Sequence, residues 1–143
     1  MIWFGEDNWE EVVAKVGEFG LKPRSVDPVG FARRNRLLLL TDEDSVHVDL
    51  SFGALPFEEY TVVHAQQIEV APGLFAPIAT VESLLVMKAV AWRPKDLQDI
   101  REIVAVNPGF DRKFVIGTFS EYAELLEVPE RVELLEQIFD GKL

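Results

Sequence analysis

Leu37-Leu38-Leu39-Leu40-Thr41-Asp42-Glu43-Asp44-Ser45-Val46-His47-Val48-Asp49-Leu50 is the stretch that decides the fold. A short apolar run bounded by turn residues reads as a fully buried strand, here over Arg36–Thr41. Thr41 to Ser45 is polar and acidic, which suits a turn. Val46 to Leu50 alternates, so it returns as the second strand of a hairpin. A period of two places Val46, Val48 and Leu50 on one face and His47, Asp49 and Ser51 on the other.

Working outward, Met1–Phe4 reads as a short strand. Asp7 and Asn8 are caps for a helix that runs to about Glu18. Val12, Val13, Val16 and Phe19 give this helix an apolar stripe, and Gly20 stops it. Downstream, Gly53 to Pro56 breaks the chain. Thr61–His64 and Gln67–Val70 read as short strands, with Leu74–Ile78 pairing back across the Pro72-Gly73 turn. From about residue 80 the pattern is helical. Thr80 caps Val81–Trp92, with Glu82 in the first turn. Pro94 opens a helix ending near Ala105. Asn107-Pro108-Gly109 is a loop. Asp111–Gly117 and Ser120–Leu126 make one or two helices. Pro129 starts a last one with Val132, Leu135 and Phe139 on its apolar side. The expected fold is α+β (mixed α/β), a single domain over 1–143. Its small mixed sheet is flanked by helices, with a sheet-rich part over 1–79 and a helical part over 80–143.

Composition narrows the function classes. The chain has 143 residues, 48% of them hydrophobic and 27% charged, the balance of a globular domain. It has no cysteine, which excludes disulfides, cysteine-ligated zinc and a thiol nucleophile. Asp and Glu number 25 against 14 Lys and Arg, a net charge of −11. An acidic surface repels a phosphate backbone, so no general nucleic-acid binding is expected. No apolar run is long enough to span a membrane. The start lacks the basic residues and apolar stretch of a signal peptide, so a cytoplasmic location is expected. No glycine-rich phosphate loop, G-x-S-x-G or H-E-x-x-H motif is present.

Lys88 is the most informative side chain. Val81, Leu84, Leu85, Lys88 and Trp92 share a helix face, and most other positions are apolar, so the helix is expected to be buried all round. A lysine there must pair with a carboxylate, snorkel to water or hold an anion such as a phosphate. Arg93-Pro94-Lys95-Asp96-Leu97-Gln98-Asp99 follows. Asp96 and Asp99 lie close on one helix face, and Lys95 and Asp99 are spaced for a surface ion pair. Asp49 interrupts a valine and leucine strand, where aspartate is depleted. Such a residue faces solvent, ends the strand, or holds a cation. His47 shares its face, and His64 is a further metal-ligand candidate.

Three blocks in order carry a resemblance. They are Val46-His47-Val48-Asp49-Leu50, Ile78-Ala79-Thr80-Val81-Glu82-Ser83-Leu84-Leu85-Val86-Met87-Lys88, and Arg93-Pro94-Lys95-Asp96-Leu97-Gln98-Asp99-Ile100. Over Leu37 to about Ile103 the chain resembles the distal half of a nucleotidyltransferase-fold domain of the minimal and abortive-infection (AbiEii-type) group. The resemblance implies an NTP and magnesium as ligands. It implies Asp49 as the third acidic residue, at once catalytic and metal-binding. It implies that Lys88 reaches a nucleotide phosphate and that Arg93, Asp96 and Asp99 belong to the last motif, cofactor-binding and partly structural. It also implies a link to toxin–antitoxin systems. The family's Gly-Ser turn, and the Asp-x-Asp pair that holds its magnesium, have no counterpart in this sequence. Asp42-Glu43-Asp44 has the letters but reads as a turn. Three readings follow: a start further upstream, a degenerate member without catalysis, or a shared fold without shared chemistry. The alternative function is an inactive module acting through protein contact, with Trp3, Phe4 and the Pro56-Phe57 loop as contact residues. An uncovered sheet edge near Met1–Phe4 would favour a homodimer.

Overall fold

The computed structural model describes residues 8–143. The strand expected at Met1–Phe4, the contacts expected of Trp3 and Phe4, and Asp7 as a cap lie outside the described residues. The chain is α+β, with seven helices and two small antiparallel sheets among the described residues and a helical C-terminal part. It forms two compact units, one up to Val63 and one over His64–Leu143.

The first unit contains α1 (Trp9–Glu18), β1 (Lys22–Pro23), α2 (Pro28–Asn35), β2 (Leu37–Thr41), β3 (His47–Ser51) and α3 (Pro56–Val63). β2 and β3 form the expected hairpin, in register from Leu37 opposite Ser51 to Thr41 opposite His47. β1 adds to the other edge of β2. The four leucines are not all buried, as the apolar run suggested. Leu38 and Leu40 are inaccessible, while Leu37 and Leu39 are only partly covered. The period of two still governs a run of identical side chains, and an antiparallel strand offers one face to the core. Leu38 and Leu40 pack with Trp9, Val16, Ala32 and Phe52, joined by Val48 and Leu50 from β3. Trp9 meets Phe52 edge to face at 4.8 Å. Val46 precedes the strand and is exposed, as is Phe19, which sits at the C-cap of α1.

Two helices of this unit depart from the sequence reading. α2 was not expected. Asp27 caps it by accepting the Gly30 N–H at 2.9 Å, and Pro28 occupies its first turn. A Cβ on Gly30 would lie 2.0 Å from the Asp27 carboxylate, so the cap requires glycine. The strand expected at Thr61–His64 is instead the end of α3. Thr61-Val62-Val63 is β-branched and favours strand locally. The helix wins because the Glu58 carboxylate accepts the N–H groups of Ala54 and Leu55 at its start, at 2.7 and 2.9 Å. Phe57 and Thr61, one turn apart, are then both buried. The Thr61 hydroxyl donates to the Phe57 carbonyl at 2.9 Å. Phe57 is therefore not the exposed contact residue expected of the Pro56-Phe57 loop.

The second unit contains β4 (Gln66–Ala71), β5 (Leu74–Ile78), α4 (Val81–Ala91), α5 (Pro94–Val106), α6 (Arg112–Leu125) and α7 (Glu130–Phe139). β4 and β5 turn at Pro72-Gly73, where Gly73 takes a positive φ of 74°. The expected single mixed sheet is not formed among the described residues, because the long strands return through tight hairpins and pair antiparallel. Thr80 caps α4 by accepting the Ser83 N–H at 3.2 Å. No residue from Val81 to Val90 is exposed, in line with the all-round apolar pattern. α4 packs on α5 and α6, and α7 packs on α5 and α6. Arg112–Leu125 is one helix, not two, capped by Asp111 accepting the Phe114 N–H at 2.9 Å. On α7 the deepest residues are Leu135 and Ile138, and Val132 and Phe139 flank them.

α4 ends at Trp92, which adopts a left-handed φ of 51°. Its indole stacks on Phe119 with centroids 5.8 Å apart, and the Arg131 guanidinium lies 5.4 Å from its ring. Trp92→Gly relieves about 1 kcal/mol of backbone strain but forfeits those contacts. Trp92→Ala forfeits the contacts and keeps the strain. Urea denaturation is expected to rank wild type above Trp92→Gly, and Trp92→Gly above Trp92→Ala by about 1 kcal/mol.

Candidate functional site

The expected site residues of the second and third blocks converge at the junction of α4 and α5. The left-handed turn at Trp92 reverses the chain, and Arg93-Pro94 starts the next helix with proline at its first position. Asp96 thereby falls at the third helical position, where a carboxylate can reach back to the cap. Its Oδ2 accepts the Arg93 backbone N–H at 3.1 Å and Nε–H at 2.6 Å, and its Oδ1 accepts from Nη2 at 3.1 Å. Asp96 is 3% exposed. The Arg93 guanidinium bonded to it, helped by the Arg93 N–H and the Lys88 charge, holds its carboxyl below the usual carboxylate range.

Lys88 lies one turn before the end of α4. Its Nζ donates to Asp99 Oδ2 at 2.5 Å and stands 4.0 Å from Asp96 Oδ1. The lysine of the all-apolar helix has found carboxylates. Lys95, spaced to pair with Asp99, stays exposed, and Asp99 turns to Lys88 instead. Two cations and two carboxylates balance to zero charge within the cluster. A phosphate oxygen reaching Lys88 would have to share or replace its bond to Asp99.

Asp49 belongs to the first unit. It lies mid-strand on β3, opposite Leu39, on the wet face with His47 and Ser51. The Arg24 side chain spans to it: Nε donates to the Leu40 carbonyl at 2.9 Å, and Nη2 donates to Asp49 Oδ1 at 2.5 Å. That fixes the carboxylate while leaving its side chain 57% exposed. Arg24 was not read as a partner, because it follows β1, across β2 from Asp49, and lies 25 residues away in sequence.

Lys88, Arg93, Asp96 and Asp99 are thus brought together, and Asp49 stands in the other unit with Arg24. Among the described residues, no three His, Cys, Asp or Glu side chains gather so as to hold a metal ion. His47 is exposed on β3, and His64 opens the second unit. A magnesium at Asp49 finds one protein carboxylate, so its shell would be completed by water and nucleotide phosphates, a donor set this ion accepts. A cavity of about 290 Å³ opens beside the start of α4, lined by Gln66, Thr80, Glu82, Asn107 and Phe110 and by none of the expected site residues. Glu82 there accepts the Asp111 N–H at 3.0 Å and ties the starts of α4 and α6 together. No helix among the described residues is long and apolar enough to cross a membrane. No family model and no curated protein matches the chain.

Proposed function

We propose that this chain is a nucleotidyltransferase-like protein of the AbiEii type that binds a nucleoside triphosphate together with magnesium. The observation that carries the reading is Asp49: a carboxylate held in the middle of a strand, on its solvent face, with one oxygen clamped by Arg24 and the side chain still open to ligand. Aspartate is depleted in strands, and this one keeps its carboxylate accessible beyond the ion pair with Arg24. The order of elements supports the same reading, with the Asp49 strand followed by the capped lysine helix and then the helix opened by Arg93-Pro94. In this reading Asp49 offers the magnesium its protein carboxylate, while Lys88 stays with Asp99 and Asp96. Arg93 and Asp96 keep the α4–α5 junction in shape. The reading is one of binding, since a single carboxylate supplies too little for two-metal phosphoryl transfer.

Thermal unfolding with each NTP, with and without magnesium, tests it. A ligand at about 100 times its dissociation constant adds roughly 2.7 kcal/mol. For a domain of this size that raises Tm by several degrees. The expected result is a magnesium-dependent rise in the wild type that disappears in Asp49→Asn. The unliganded Asp49→Asn protein should melt near the wild type, because an exposed ion pair contributes at most about 1 kcal/mol. No rise with any NTP in a folded sample overturns the proposal. It leaves the second reading, a module acting through protein contact, which the exposed β4–β5 hairpin favours.

A further inference from the structure

Every residue of β4 is exposed, and so is every residue of β5 except Ala76. The two strands pair only with each other, so each has an open edge among the described residues. A two-stranded hairpin left alone is marginal in water. One face carries Ile68, Leu74 and Ile78, which are 44%, 59% and 44% exposed. From Gln66 to Ile78 the only ionised side chain is Glu69, in a chain whose net charge is −11.

The two edges are not equivalent. Pro77 stands opposite Gln67 and has no N–H to donate. Opposed residues in an antiparallel ladder either exchange both bonds or turn both groups outward. Gln67 and Pro77 are therefore an outward-facing pair. The open side of β5 lacks a donor at Pro77, which blunts that edge. The open side of β4 presents the N–H and C=O of Gln67 and, two residues on, of Glu69, opposite Phe75.

We propose that β4 pairs antiparallel with β4 of a second copy of this chain, about a two-fold axis at Ile68. The strand's own groups select both the partner and the register. An axis at Glu69 would set two carboxylates opposite each other, which is unfavourable. An axis at Gln67 would set Ile68 against Gln66. The axis at Ile68 places Gln67 opposite Glu69 of the other copy on both sides, with both backbone bonds exchanged in each pair. The Gln67 amide then lies beside the Glu69 carboxylate. Oε1 of that carboxylate already accepts the Gly73 N–H at 2.7 Å, which leaves Oε2 for the amide. On the opposite face Ile68 meets Ile68 as a closely spaced pair, and the apolar face becomes continuous across four strands. A six-residue strand edge covers well under the about 800 Å² per partner of a stable interface, so the dimer is weak and depends on concentration.

Sedimentation velocity of the full chain, from micromolar to submillimolar concentration, tests the pairing. The wild type is expected to shift from monomer to dimer. Gln67→Pro removes the outward N–H and the side-chain amide but no bond between β4 and β5, so its circular dichroism should match the wild type while the dimer is lost. Gln67→Glu sets like charges side by side and should weaken the dimer roughly threefold to tenfold, whereas Gln67→Lys beside Glu69 should tighten it by a similar factor. A wild type that stays monomeric throughout overturns the proposal. So does a dimer that survives Gln67→Pro, or one that Gln67→Lys and Gln67→Glu weaken alike.

Discussion

Replacing Asp96 by alanine is expected to cost about 2–3 kcal/mol and to lower Tm by roughly 10 °C. The loss has two sources. Asp96 accepts the N–H at the start of α5, and losing such a cap costs about 1 kcal/mol. It also accepts two bonds from the Arg93 guanidinium, and bonds to charged groups contribute about 1.5–3 kcal/mol. The upper end is not reached, because the Arg93 side chain is 74% exposed and regains water when its partner is gone. Asp96→Asn keeps an acceptor for the backbone N–H and should lose less than alanine. The two variants also respond differently to acid. The Asp96 carboxyl has a lower pKa in the folded chain than in the unfolded one, so the unfolded chain takes up the proton first. Its contribution is complete at neutral pH. It fades as pH falls below the unfolded value of about 3.9 toward the depressed folded value. Urea denaturation across that window should therefore show the gap between wild type and Asp96→Asn narrowing with acidity. A gap that stays constant to pH 2 would mean that the carboxylate charge contributes nothing.

What could be read in the sequence followed from how local each signal is. The β2–β3 hairpin was legible because the strand period and the acidic turn agree, and the face assignment of Asp49 came with it. The caps at Thr80 and Pro94 were legible for the same reason. α3 was not, because Thr61-Val62-Val63 favours strand and the deciding bonds run from Glu58 to the backbone just before the helix. α2 was missed because Ala32 is its only buried residue and its signature is the short Asp27-Pro28 pair. Lys88 was recognised as needing an anion, and the structure supplies two aspartates from the next helix. Which carboxylate takes Lys88 was not legible: spacing pairs Asp99 with Lys95, and only the turn at Trp92 brings it to Lys88. Arg24 carried no local signal, since a bond across β2 follows from register rather than from neighbours in sequence.

The largest loss of stability is expected from Phe119→Ala, about 3–5 kcal/mol. Phe119 is the largest fully buried side chain among the described residues, at 0% exposure, and sits on α6 where that helix meets α4 and α7. The ring is flanked along its own helix by Val115 and Ala123, also inaccessible, so little can move in to fill the space. The cost therefore includes a cavity term on top of the lost transfer energy. A second effect acts through Trp92. The two rings are nearly parallel, with 1° between their planes, and the stack holds the indole over the left-handed turn that starts α5. Losing the stack should loosen that turn, and with it the Arg93–Asp96 cap four residues on. The prediction is then specific. Phe119→Leu, which keeps much of the volume but not the aromatic face, should recover over half of the alanine loss. Hydrogen exchange should still show faster opening at the amides of Leu97 and Ile100, in the first turns of α5, than in the wild type. Equal losses for Phe119→Leu and Phe119→Ala would place the energy in the aromatic stack. Full recovery by leucine, with wild-type protection in α5, would place it in packing volume alone and uncouple Trp92 from the junction that holds Lys88.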